Sequence, residues 1–258
     1  MMNGAPMNET PMTDEELLRY SRQIMLPQFD VAGQEKLLAA RVLVLGLGGL
    51  GCPAALYLAA AGVGELVLAD SDVVELSNLH RQIAHTEARI GQLKVESVAQ
   101  LLRELNPAVS LELVPRRLAG EELEALVASA DVVLDCCDNF ATRFALNRAA
   151  FAAGVPLVSA AAIRLEGQLS VFDPRREDSP CYRCLYSEEA ELDLSCATNG
   201  VMAPLVGVMG SLQALECLKL LAGMGETLVG KLLLFDALRL QFRELKLRPN
   251  PACPVCRD

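Results

Sequence analysis

The sequence contains no tryptophan, and aromatic residues make up only 4% of its 258 positions. A chain so poor in rings has little material for the stacking platforms that hold single-stranded bases. It also lacks a basic excess. Its 23 Lys and Arg stand against 33 Asp and Glu, a net charge of −10, whereas a generic nucleic-acid binder is basic. No basic segment followed by an apolar one opens the chain, so no export signal is visible. Residues 1–12 are polar and proline-containing and read as a disordered tail. Internal repeats and low-complexity runs are missing as well. Without an export signal the expected compartment is the reducing cytoplasm, where nine cysteines do not build a disulfide framework.

Hydrophobic residues, by contrast, reach 52%, enough to exclude long disorder and to bury a sizeable core. Val42 to Gly64 runs for 23 residues without a charge, the length of a membrane span. Pro53 and the glycines at 46, 48, 49 and 51 interrupt it, which argues against one continuous helix. It reads instead as a strand (Arg41–Leu45), a glycine turn and a helix from Pro53 to Ala61, so no membrane is expected. Upstream, Thr13 and Glu16 form a capping-box pattern ahead of a helix carrying Leu17, Leu18, Tyr20, Ile24 and Met25. A second helix is expected over Ala32–Ala39.

Downstream, strands are expected at Glu65–Asp70, Val109–Val114, Val132–Asp135 and Val155–Ala160. Helices are expected at Gly91–Leu105, Glu121–Ser129 and Asn139–Ala152. This alternation predicts an α/β fold with a mostly parallel sheet covered by helices. Beyond residue 160 the pattern changes to a hairpin around Glu166-Gly167, a long apolar helix over Val201–Leu221, and paired strands at Val229–Phe235 and Leu240–Leu247. The expectation is one domain over residues 13–258. A Rossmann-like nucleotide-binding half (about 40–160) is continued by antiparallel strands (161–258) into one mixed sheet.

Gly46-Leu-Gly48-Gly49-Leu-Gly51 follows a strand and opens a helix, the context in which G-x-G-x-x-G binds a nucleotide phosphate at a helix N-terminus. Asp70, at the end of the next strand, is placed to accept hydrogen bonds from ribose hydroxyls. No Walker-type G-K-[ST] follows. Arg81 and Lys94 supply cations suited to a triphosphate, which favours ATP over a dinucleotide. Asp138, just past the carboxyl end of Val132–Asp135, faces the expected ligand crevice and is the candidate for Mg²⁺. Asp135 is its rival, and either aspartate could instead cap a helix.

Cys181-x-x-Cys184 and Cys253-x-x-Cys256 could together hold a tetrahedral metal. Their wide separation leaves open a redox pair or unpaired thiols. Cys52, Cys136, Cys137 and Cys217 lie in apolar segments and read as packing residues. Cys196 sits in a polar loop among Glu188, Glu189, Glu191 and Asp193, acidic neighbours that oppose a reactive thiolate.

The glycine turn, Asp70, Ser77-Asn-Leu-His-Arg81-Gln82, Lys94 and Leu134-Asp-Cys-Cys-Asp138-Asn139 together resemble the HesA/MoeB/ThiF group of ubiquitin-activating-type adenylyltransferases. The resemblance runs from about Tyr20 to Cys256. Residues 161–168 and 200–216 are most similar to the molybdopterin branch of the group. His80 departs from a glutamine common at that position.

The resemblance implies ATP-dependent adenylation of the C-terminal glycine of a small ubiquitin-like sulfur carrier ending in Gly-Gly, in molybdenum cofactor biosynthesis. The corresponding thiamine-pathway carrier is the alternative. An NAD-dependent oxidoreductase or a non-catalytic nucleotide-binding scaffold are the remaining classes. The nucleotide site it implies comprises Gly46, Gly48, Gly49, Gly51, Asp70, Ser77, Asn78, Leu79, His80, Arg81, Lys94, Asp138 and Asn139. Arg81, Lys94, Asp138 and Arg22 form its catalytic set, and Arg81 reaches a neighbouring subunit's site in a homodimer. It implies structural Zn²⁺ on Cys181, Cys184, Cys253 and Cys256, and a thioester- or disulfide-forming position at Cys196. Sulfur is expected from a separate donor, such as a sulfurtransferase or cysteine desulfurase. The nucleophile is an ionised carboxylate, so no general base is needed, and His80 and His85 are expected to be non-catalytic.

Overall fold

The computed structural model describes residues 12–187 and 200–257. An eight-stranded mixed sheet runs through it in the order β3-β2-β1-β4-β5-β6-β7-β8. The first five strands in chain order, β1 (Arg41–Leu45), β2 (Glu65–Ala69), β3 (Ser110–Val114), β4 (Val132–Asp135) and β5 (Leu157–Ile163), pair in parallel. From β5 onward β6 (Glu166–Phe172), β7 (Lys231–Asp236) and β8 (Gln241–Lys246) pair antiparallel.

The uncharged run has its cause in this layering. Along β1, Val42 and Val44 pack with one core while Leu43 and Leu45 pack with the other. On β2, Leu66 and Leu68 divide from Val67 and Ala69 in the same way. A strand buried on both faces has no place for a polar side chain. The first core is filled by α4 (Gly51–Ala61), α5 (Lys94–Leu105) and α9 (Ala203–Ala222); the second by α6 (Gly120–Ala128), α7 (Phe140–Ala153) and the single turn α8 (Tyr182–Leu185). Helix α9 is long and apolar enough to cross a bilayer. Here Leu205, Val206, Met209, Ala214 and Cys217 bury it against the sheet and α4.

Four expectations are corrected. The N-terminal helix is two pieces, α1 (Asp14–Arg19) and α2 (Ser21–Ile24), broken at Tyr20. That ring is drawn into the core, where its hydroxyl accepts from Asn106 Nδ2 at 2.9 Å. The capping box of Thr13 and Glu16 forms as expected. Next, α3 (Asp30–Ala39) starts two residues earlier than expected, and α5 starts at Lys94 rather than Gly91. Gly91 lies at φ +86°, outside the helical region. Last, the β5–β6 turn falls on Arg164-Leu165, not on Glu166-Gly167: Ile163 pairs directly with Glu166, and Arg164 takes φ +52°. Gly167 has a packing reason instead, since a Cβ there would lie 2.4 Å from Met209 Sδ.

Candidate functional site

A cavity of about 700 Å³ opens at the carboxyl ends of the five parallel strands, within the roughly 300–1,000 Å³ usual for small-ligand sites. Each strand end contributes lining residues: Leu45–Gly46 and Gly48–Leu50 after β1, Ala69–Asp72 after β2, Arg116–Leu118 after β3, Cys136–Arg143 after β4, and Ala161–Ile163 on β5. The strand order reverses between β1 and β4, and ligands of open α/β sheets bind at that switch point.

The glycines there meet separate steric demands. Gly46 lies at φ +94° against the Cys136 carbonyl. A Cβ on Gly51 would stand 1.9 Å from the Gly46 carbonyl oxygen, so the turn closes only with hydrogen at that position. Gly51 also begins α4, where the Cys52 N–H donates to the Gly48 carbonyl at 3.0 Å and the Ala54 N–H to the Leu50 carbonyl at 3.3 Å, locking the turn onto the helix start. Gly51→Ala is expected to displace the turn and weaken ATP binding at least about tenfold, the loss of a single charge-assisted hydrogen bond. Calorimetric titration with ATP checks this, and an unchanged affinity would contradict it.

Asp70 faces the cavity with both oxygens engaged from the backbone: Leu47 N–H donates to Oδ2 at 2.7 Å and Asp72 N–H to Oδ1 at 2.8 Å. Burial raises its pKa above the ordinary carboxylate value. Lys94, at the start of α5, lines the cavity and is held by Asp72 through an Nζ–Oδ2 contact of 2.8 Å. Arg81 also lines the cavity of its own chain, with Nη1 donating to the Ser77 carbonyl at 2.9 Å. Asp138 and Asn139 sit exposed on the opposite rim, and Asn139 caps α7 by accepting the Thr142 N–H at 2.9 Å.

Asp135 does not compete with Asp138 for a metal. It is fully buried and paired with Arg143 at 3.2 Å, and it accepts the Ser159 hydroxyl at 2.6 Å and the Cys137 N–H at 3.1 Å. Arg143 in turn donates to the carbonyls of Cys137 and Ala160. This ion pair ties the residue before Asp138 to β5. Around it Phe140, Tyr182 and Tyr186 wall the cavity beside Gln168.

Other expected site residues are not brought in. Arg22, on α2, does not line the cavity. Neither do Ser77, Asn78, Leu79 and His80. Asn78 is buried and caps the short 3-10 turn after Glu75, accepting the Glu75 N–H at 3.1 Å. Cys196 lies outside the described residues. Cys52, Cys136, Cys137 and Cys217 are buried thiols with pKa values raised by burial, that of Cys52 to about 12.

Arg143, Arg116, Arg117 and the two tyrosines carried no motif. The arginine pair after β3 could have been found by the same carboxyl-end rule that found Asp138.

Cys181, Cys184, Cys253 and Cys256 converge, with all four sulfurs within 4.8 Å of one another. The separations Cys181–Cys184, Cys181–Cys253 and Cys184–Cys256 are 3.9, 3.6 and 3.5 Å. A tetrahedral thiolate site with metal–sulfur bonds of about 2.3 Å has edges of about 3.8 Å. The Asn250 N–H donates to Cys184 Sγ at 3.3 Å, the kind of outer-shell contact that orients a ligand. The arrangement can hold one soft divalent ion, clamping the C-terminal tail onto α8.

The ThiF family model matches residues 20–255. Over 245 residues the chain is 54% identical to molybdopterin-synthase adenylyltransferase of Escherichia coli, covering 95% of this chain and 98% of that protein. It is 53% identical over 245 residues to the sulfur carrier protein ThiS adenylyltransferase of E. coli, covering 95% and 97%. Among solved structures, E. coli MccB superposes with a TM-score of 0.80 at 25% identity, over 93% of this chain and 72% of that one.

Proposed function

The chain belongs to the ThiF family, and we propose that it transfers AMP from ATP to the C-terminal glycine of a small ubiquitin-like sulfur carrier in molybdenum cofactor biosynthesis. The observation that carries this is the polar set at the switch-point cavity: Asp70, Arg81, Lys94 and Asp138 around a glycine turn, in a chain that matches the molybdopterin-synthase adenylyltransferase of E. coli over 95% of its length.

A carboxylate oxygen of the carrier's last glycine attacks the α-phosphorus of Mg-ATP. A P–O bond forms, the α–β bridge bond breaks, and pyrophosphate leaves with Mg²⁺. The nucleophile is already ionised, so no proton must be removed. The work is alignment and charge stabilisation. The turn at Gly46–Gly51 carries phosphate and Asp70 carries ribose. Arg81 and Lys94 take up phosphate charge, and Asp138 orients the Mg²⁺ of the substrate. The wall of Ala161–Ile163, Gln168, Tyr182 and Tyr186 receives the carrier's tail. Glycines at the tail's end suit a path where a backbone must pass close to the nucleotide. Arg81 was expected to serve the neighbouring subunit of a homodimer, but it lines the cavity of its own chain, which supports a role there; Arg22 lies away from that cavity and is given no role in it. A separate sulfur donor then converts the adenylate to a thiocarboxylate.

The 53% identity to the ThiS adenylyltransferase supports a second reading, with the thiamine-pathway carrier as substrate. ATP–pyrophosphate exchange with each purified carrier distinguishes them. Exchange stimulated by the molybdopterin carrier at a kcat/KM at least tenfold above that with the thiamine carrier is expected. The reverse preference would move the enzyme to the second pathway, and exchange with neither would remove the adenylation reading.

We further propose that the four-cysteine cluster holds structural Zn²⁺. About one zinc per chain is expected by elemental analysis, falling to below about 0.2 in Cys253→Ser, since three thiolates and water hold structural zinc poorly. A wild-type zinc content near zero after expression with added metal would contradict it.

A further inference from the structure

Beneath the glycine turn lies a group the adenylation chemistry does not use. His85 is 5% exposed and sits between two elements that both serve the cavity. Its Nε2 lies 3.1 Å from the Leu47 carbonyl oxygen, and its Nδ1 lies 2.9 Å from Ser97 Oγ. A carbonyl only accepts, so Nε2 carries the proton. In a neutral ring Nδ1 then accepts the Ser97 hydroxyl. Burial lowers the His85 pKa, which keeps the ring neutral and this tautomer in place at neutral pH. The Cys52 thiol donates to the same carbonyl at 3.3 Å. Leu47's own N–H is held by Asp70 Oδ2 at 2.7 Å. Leu47, itself fully buried, is therefore fixed at both of its polar atoms.

The Leu47 carbonyl shares its peptide plane with the N–H of Gly48. No cis peptide bond occurs among the described residues, and in a trans peptide the C=O and the following N–H point in opposite directions. A carbonyl drawn inward onto His85 and Cys52 turns the Gly48 N–H outward, and Gly48 lines the cavity. We infer that His85 is a positioning residue: by holding the Leu47 carbonyl in the core it aims the Gly48 N–H at a nucleotide phosphate. Ser97 fixes the tautomer and belongs to α5, one turn after Lys94, so the helix that brings the phosphate-facing lysine also sets the histidine that orients the turn. The inference rests on the nucleotide reading of the cavity and adds to it a residue that touches neither substrate.

Full-length wild type, His85→Phe, His85→Gln and Ser97→Ala are titrated calorimetrically with ATP and, separately, with adenosine, which has the base and ribose but no phosphate. His85→Phe removes the donor and keeps much of the volume. It is expected to weaken ATP about tenfold, the value of one charge-assisted hydrogen bond, and adenosine less than twofold. His85→Gln, whose side-chain amide can donate where Nε2–H does, is expected to recover most of the ATP affinity. A role limited to packing would lower both ligands together, and that result, or an unchanged ATP affinity, overturns the inference. Should His85→Phe not fold, Ser97→Ala must show the same ATP-selective loss at about threefold, and its absence overturns the inference equally. A wild type that binds ATP while the variants show no selectivity defeats this inference alone. A wild type that binds neither ligand defeats the nucleotide reading with it.

Discussion

Asp138→Ala is expected to lower carrier-dependent ATP–pyrophosphate exchange by about 10²–10³-fold, the usual cost of losing one preorganised electrostatic group at the transition state, while Tm moves by less than 2 °C. The two halves of the expectation come from the same geometry. Asp138 is exposed on the cavity rim, and its one hydrogen bond among the described residues is a long contact from Asn139 Nδ2 at 3.5 Å. A carboxylate placed this way does nothing measurable for the fold, and surface changes of this kind stay within about 0.5 kcal/mol. It lines the same cavity as Arg81 and Lys94, where the proposed triphosphate would bind. Exchange kinetics and a thermal melt on the same preparation check both halves. Exchange at the wild-type rate would remove Asp138 from the Mg²⁺ role.

Three residues upstream the opposite outcome is expected. Asp135→Ala strands the Arg143 guanidinium in the core with no counter-charge, a change that costs about 3–5 kcal/mol and lowers Tm by about 10 °C in a domain of this size. Arg143 keeps its donations to the Cys137 and Ala160 carbonyls, but these acceptors are neutral. Replacing both partners, as Asp135→Leu with Arg143→Met, is expected to cost less than Asp135→Ala alone, because no uncompensated charge remains. Denaturant unfolding of the single and double variants measures this. A single variant within 1 kcal/mol of wild type would show that the pair does not hold the β4–β5 end together. Two aspartates in one short motif thus have separable duties, one to the fold and one to the ligand.

Sequence pattern carried the parallel half of the sheet well, for a physical reason. Val42–Leu45 and Leu66–Ala69 are buried on both faces, so their apolar character is unbroken and a strand is the only short element that fits between a glycine turn and a helix. Gly46, Asp70 and Asp138 could be placed at the cavity because local chain direction sets their positions just past strand ends, whereas Arg81 and Lys94 lie well beyond the end of β2 and were read from their charge and motif. Contacts decided by the tertiary fold were not legible. Arg143 is a cation in the first turn of α7, and nothing local pairs it with Asp135 eight positions back. Arg164 takes a left-handed conformation at the hairpin although glycine stands three residues later, because Gly167 is needed against Met209. Asn78 was read as a ligand contact from motif membership, yet its side chain caps its own turn. The meeting of Cys181 and Cys184 with Cys253 and Cys256 spans most of the second half of the chain. Spacing left it open, and the converging sulfurs now support a single metal site.

The central claim is that ATP's AMP moiety is transferred to a carrier's terminal carboxylate. Incubating the enzyme with Mg-ATP and the molybdopterin-pathway carrier, in the absence of a sulfur donor, and recording the intact mass of both proteins tests it directly. AMP on the carrier alone, localised by fragmentation to its last glycine and lost when that glycine is deleted, is the predicted result. A carrier that stays unmodified under conditions where the enzyme binds ATP, or AMP found on the enzyme instead, would contradict it.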